Sequence, residues 1–165
     1  MPTMSERDQF LQAWEREYQT TLKLLREYPN KKLDLKPSNK SRTAKELAWA
    51  LVMEEDTMVG GAINGKIDFS NTPQPPSTLP EIISMYEKLH QQNTEKIRRM
   101  SDEDLNKRID MMTGPKRTEQ VRKADIFWTG LMDSIHHRGQ FSVYLRMAGG
   151  RVPSIYGPTA DEPWM

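Results

Sequence analysis

Asp133 and His137 stand four residues apart in the run DSIHHRGQFSVYLRMAGG, residues 133–150. Residues four apart share a helix face. That face continues through Ile126, Gly130, Phe141, Tyr144 and Ala148. A carboxylate and an imidazole in such a stripe are costly unless something satisfies them. Two readings stand on these residues. In one, they are two ligands of a divalent metal, completed from a facing helix. In the other, they form an Asp–His pair that orders the interior without a metal.

A third ligand must come from another segment. Glu54 lies on the inner stripe of an earlier helix, beside Leu47 and Leu51, and Glu55 next to it is the fallback. The bland reading of Glu54 is a carboxylate at the bundle's rim, or one paired with Arg42 or Arg138. His136 is turned by ~100° from His137 and is expected to face solvent or a subunit contact. Arg138 is either a donor that orients a carboxylate ligand or a surface ion-pair partner. His90 reads as a satisfied core residue without a role.

The elements that must carry these groups are helical. Four long segments have a 3.6-residue apolar period, and the spacing predicts helices over 5–28, 43–60, 79–99 and 119–148, with no sheet of consequence. Ser5 caps the first, whose inner stripe is Phe10, Trp14, Tyr18, Thr21, Leu25 and Tyr28. Thr43 with Glu46 and Thr78 with Glu81 form capping boxes for the next two. Residues 107–116 read as an irregular connection. The tail 149–165 keeps Val152, Ile155, Tyr156 and Trp164, so its first half is expected to pack on the helices. The prediction is an all-α four-helix bundle in one domain over 1–165.

Composition narrows the function classes. The 165 residues include no cysteine, which excludes a disulfide framework, a zinc–thiolate site and a thiol nucleophile. Lys plus Arg, 24, nearly balance Asp plus Glu, 23, which argues against a nucleic-acid partner. The link KKLDLKPSNKSR, residues 31–42, is locally basic, with Asp34 its single acid. It could meet phosphates but has no interleaved aromatics, so it reads as a solvated loop. No secretory leader is visible, and no apolar run approaches the roughly 20 residues that cross a bilayer. A cytoplasmic protein without a membrane partner is expected.

The HHRGQ run at 136–140, followed by Tyr144-Leu145-Arg146 and Gly149-Gly150, resembles the closing helix of the DinB-like (damage-inducible B) bundle family. The entry SRTAKELAW, residues 41–49, resembles that family's second helix. The resemblance implies a four-helix bundle, often a homodimer, with a pocket at one end. It implies nickel or zinc held by three histidines, one from the second helix and two from an H-x-x-x-H in the fourth. It also implies an activity among metal-dependent hydrolases or thiol-dependent transferases. This chain departs from that triad. His137 matches the second histidine of the pair, Asp133 replaces the first, and Ala50 stands where the second-helix histidine falls. The expected metal set is therefore Glu54, Asp133 and His137. These harder donors extend the candidate metals to manganese and iron. The rival expectation is a non-catalytic or stress-associated bundle protein that binds a small molecule and has lost the metal. A homodimer is expected through the second apolar stripe of the last helix, Trp128, Met132, Ile135, Val143 and Met147, unless the tail covers it.

Overall fold

The computed structural model describes residues 4–165; residues 1–3 of the 1–165 domain reading lie outside them. The chain is mostly helical, with one small sheet. Helix α1 spans Glu6–Glu27 and is capped by the Ser5 side chain accepting from the Asp8 amide. Helix α2, Ala44–Met53, opens on the Thr43–Glu46 capping box. It widens into a π-helical segment, Glu54–Gly60, and ends as α3, Gly61–Asn64. Helix α4, Leu79–Arg98, opens on the Thr78–Glu81 box. A short α5, Asp102–Asn106, and strands β1, Arg108–Gly114, and β2, Arg117–Arg122, precede helix α6, Lys123–Met147. Helices α1 and α2 each pack on both α4 and α6.

The hairpin corrects the sheet-free expectation. Residues 107–116 are not an irregular connection, and 119–122 belong to β2 rather than to the last helix. Arg108 to Met111 alternates polar and apolar, and Ile109, Met111 and Val121 pack against the core while Arg108, Asp110 and Gln120 face water. Pro115-Lys116 joins the strands, with Lys116 at φ 57. Proline followed by a left-handed residue is the pattern of a type II turn. The second expected helix, 43–60, is likewise not uniform, because its last seven residues are π-helical.

Two apolar clusters fill the interior. One is built on Leu24, Leu25, Leu47, Leu51, Phe141 and Leu145, the other on Phe10, Trp14, Val59, Ile97 and Phe127. Between them each long helix contributes buried polar groups. These are Glu17 on α1, Glu54 and Glu55 at the end of α2, His90 and Asn93 on α4, and Ser134 and Arg138 on α6. A polar layer thus crosses the molecule. Buried polar groups persist only where they find partners, and most here do. Arg138, 2% exposed, places Nη1 2.7 Å from Glu17 Oε2. Tyr156 of the tail donates to the same Glu17 oxygen at 2.5 Å and accepts from Arg138 Nη2 at 2.5 Å. His90 sets Nδ1 2.8 Å from Glu55 Oε1 and Nε2 2.9 Å from Glu15 Oε2, while Asn93 donates to the Glu55 carbonyl.

The tail is held along its length. Val152 and Pro153 are buried, Asp161 accepts from the Val152 amide, and Glu162 accepts from the Ser154 amide. It does not cover the second stripe of α6, where Met132, Val143 and Met147 remain exposed.

Glu17 links this layer to acid stability. Burial raises its carboxyl, but hydrogen bonds from Tyr156, Arg138 and Arg16 outweigh it and hold the group below its ordinary value. A carboxyl depressed on folding contributes stability above its unfolded pKa, about 4.3. That contribution is lost as pH falls through the folded value. Chemical denaturation between pH 7 and pH 3 is expected to show a stability loss that flattens in Glu17→Gln. An unchanged profile in that variant would place the acid-sensitive group elsewhere.

Candidate metal centre

The π-helical segment decides how α2 meets α6. Its wider turn directs two consecutive carboxylates inward, Glu54 toward α6 and Glu55 toward α4, and both are buried. Such turns recur where a helix departs from regularity for function. Gly130 lies on the facing helix. A Cβ there would lie 3.4 Å from Val59 Cγ2 and 3.6 Å from Glu54 Oε2, ordinary contact distances, so Gly130 marks where α6 packs directly on the segment.

The structure brings the expected three together. Donor atoms of Glu54, Asp133 and His137 all lie within 4.8 Å of one another. Donors around a small ion stand about 2.0–2.2 Å from it, so the cluster is slightly open, with half-buried Asp133 on its outer side. Asp133 Oδ2 is 3.6 Å from His137 Nδ1, too long for a hydrogen bond. His137 Nδ1 is buried without a hydrogen-bond partner, and buried Glu54 Oε2 has none among the donors around it, so Glu54 can bond to Asp133 only by holding a proton. Burial, reinforced by the Asp133 carboxylate, pushes Glu54 up to about 9. Burial also lowers His137 despite Asp133, which keeps the imidazole neutral. A buried carboxyl beside a second carboxylate needs either a proton or a cation. A neutral imidazole is the form that ligates. The donor chemistry fits a divalent ion.

The bland pairings of Glu54 do not occur. Arg138 is committed to Glu17, and Arg42 Nη1 lies 3.2 Å from His137 Nε2. A guanidinium only donates, so Nε2 accepts and the ring proton sits on Nδ1 in this arrangement. Glu55, the fallback ligand, is turned away onto His90. Ala50, at the position expected for a second-helix histidine, offers no donor atom. His136 is exposed and lies 3.0 Å from Gln140 Nε2.

Two clefts adjoin the cluster. One of about 460 Å3 opens on the His137 side, between the 31–42 link and α6. The other, about 480 Å3, reaches Glu54 and Asp133 and is walled by Met58, Phe69, Met111, Met112 and Met132. Met111 and Met112 come from β1, so the hairpin helps to build the second cleft. Sequence reasoning missed this contribution, and its signal was the alternation from Arg108 to Met111 ahead of Gly114-Pro115. It also missed Glu17 as the partner of Arg138, although a lone carboxylate on the stripe of Phe10, Trp14 and Thr21 marked the place.

Comparison with known proteins agrees with this architecture. The chain is 27% identical over 161 residues to an uncharacterized protein, YrdA, of Bacillus subtilis (strain 168), covering 94% of this chain and 90% of that one. A DinB-like protein from Bacillus cereus ATCC 10987 superposes with a TM-score of 0.75 at 25% identity, over 89% of this chain and 95% of that one. A DinB-like protein from Bacillus subtilis, YjoA, gives 0.73 at 18% identity, over 90% and 97%, and speaks for the fold alone. Among the described residues no helix is long and apolar enough to cross a membrane. The DinB family model matches residues 1–164, nearly the whole length that carries the polar layer and its open cluster, and the chain belongs to the DinB family.

Proposed function

We propose that this protein is a four-helix-bundle metalloprotein that holds one divalent cation through Glu54, Asp133 and His137. The observation that carries the reading is one buried cluster in which His137 Nδ1 has no partner and Glu54 Oε2 faces only a second carboxylate, Asp133. Two carboxylates and one imidazole favour manganese, iron or zinc, with nickel next. For Nδ1 to ligate, the ring proton must sit on Nε2 and Arg42 must turn away. Arg42 is exposed, so that movement is open to it. A divalent ion there supplies Lewis acidity toward a water or a thiol. The flanking clefts hold a small molecule beside it, and the reaction class is hydrolysis or thiol transfer in the cytoplasm. Calorimetric titration of chelator-treated protein with Zn2+ and Mn2+ should give one site per chain, absent in His137→Ala. No heat with either ion would defeat the reading.

A second reading has its own support in Ala50, which removes a ligand the family resemblance implies. In that reading the protein binds a small molecule without metal or catalysis. Assays of ester hydrolysis and of thiol consumption, with and without metal, separate the two.

The protein is further proposed to form a homodimer through α6. Met132 is 61% exposed, and Val143 and Met147 flank it on the same helix, with Trp128 and Ile135 half-buried alongside. An apolar helix face left open by its own chain suits a second subunit. Light scattering is expected to give twice the 19.2 kDa chain mass, falling to the monomer in a Met132→Lys, Val143→Lys variant. A monomer for the unaltered protein at micromolar concentration would refute it.

A further inference from the structure

The basic link 31–42 supplies no ligand in the metal reading, yet it forms one wall of the cleft beside His137. Pro37, Ser41 and Arg42 face Leu47, Gln140 and Tyr144 across it. Among the described residues Arg42 forms no ion pair. Its one side-chain hydrogen bond runs to His137 Nε2. Glu46, on the adjoining turn, has its Oε2 engaged by the Thr43 amide and hydroxyl. An arginine offers five N–H donors in a planar fork, and a neutral ring nitrogen answers only one of them. Lys36 and Lys40 stand exposed on the same link and add positive potential. Tyr144 donates to the Arg42 carbonyl at 2.8 Å, which fixes the backbone from which the guanidinium projects. Pro37, Leu47 and Tyr144 add apolar lining beside the polar Ser41, His137 and Gln140.

We propose that this cleft binds a small organic carboxylate, its anionic end on the Arg42 fork and its apolar body against Pro37, Leu47 and the Tyr144 ring. Carboxylate matches the fork in a bidentate manner, and the apolar wall selects a molecule with a short hydrocarbon part over a bare anion. His137 lines this cleft and belongs to the candidate centre, so the carboxylate is carried to the edge of the reaction site. The placement as substrate rests on the metal reading; the recognition of the anion does not.

The test is a titration of isotope-labelled full-length protein, metal-free and with Zn2+, followed by NMR shifts. The probes are hexanoate, hexanol, hexylamine and inorganic phosphate. Hexanoate is expected to shift the amides of 41–43 and 140–144 saturably, and hexanol and hexylamine to leave them in place. Phosphate is expected to bind about tenfold more weakly, lacking the apolar contact. Arg42→Gln should weaken hexanoate about tenfold or more, and Arg42→Lys, which keeps charge but not the fork, by less. Arg42 is an exposed loop residue, so both variants should fold. Hexanol binding as well as hexanoate, phosphate matching it, or undiminished affinity in Arg42→Gln would each overturn the proposal. Arg42-dependent hexanoate binding by a protein that takes no Zn2+ supports the anion site while defeating the metal reading. Zn2+ binding without any response to hexanoate does the reverse.

Discussion

The Glu54→Gln protein is expected to be more stable than the unaltered protein when both are metal-free, and less stable when both are given metal. The two effects share one cause. Glu54 is a buried carboxyl set beside the Asp133 carboxylate, with no donor from the protein aimed at Oε2. In the metal-free fold Glu54, pushed up to about 9, must take up a proton at neutral pH that the unfolded chain does not hold, and that uptake costs stability; an amide of the same shape needs no proton and still donates to Asp133. The metal-free variant should gain about 1–3 kcal/mol at neutral pH. The same change removes a ligand. Metal at a thousandfold excess over its dissociation constant stabilises a folded protein by about 4 kcal/mol, and the variant forfeits most of that. Thermal melts with and without Zn2+ read both signs in one experiment. A variant destabilised in the absence of metal would mean that Glu54 is a structural hydrogen-bond partner rather than an open ligand.

Arg138→Met is expected to be the most damaging single change in the polar layer. Arg138 and Glu17 are both almost wholly inaccessible, and Tyr156 bonds to both. Removing the guanidinium leaves the buried Glu17 carboxylate with only the solvent-exposed Arg16 as its cation, a loss of about 3 kcal/mol or more. In a chain of this length that lowers the melting temperature by roughly 10 °C. The double change Glu17→Leu, Arg138→Met should recover most of the loss, because a well-packed apolar pair replaces a buried ion pair at little cost. Urea denaturation of the two singles and the double gives the coupling directly. Additive losses would show that the two residues act independently.

The parts that sequence reasoning reached are those written locally. Ser5, Thr43 and Thr78 mark helix starts through side-chain caps seen in the structure, and the stripes from Phe10 to Tyr28 and from Ile82 to Ile97 report their buried faces. Asp133 and His137 were legible because an i, i+4 pair on an apolar face needs an account whatever the fold. Glu54 followed from the α2 stripe, in spite of the π turn beginning there. What stayed hidden depends on contacts between distant segments. Glu17 and Arg138 are 121 residues apart, and His90 and Glu55 are 35 apart. Periodicity cannot say which buried charges meet. The hairpin was missed because methionine and aspartate carry little strand preference and its alternation is short. The π segment left only Gly60-Gly61 as a trace, which reads equally as a fraying end.

The central claim is that the open cluster at the end of α2 is a metal centre. Elemental analysis of the protein purified without an affinity tag, beside His137→Ala prepared identically, tests it most directly. The account predicts about one equivalent of a single divalent metal per chain, lost in the variant while its circular dichroism stays helical. Metal-free unaltered protein that also takes up none on dialysis against Zn2+, Mn2+, Fe2+ and Ni2+ would contradict it.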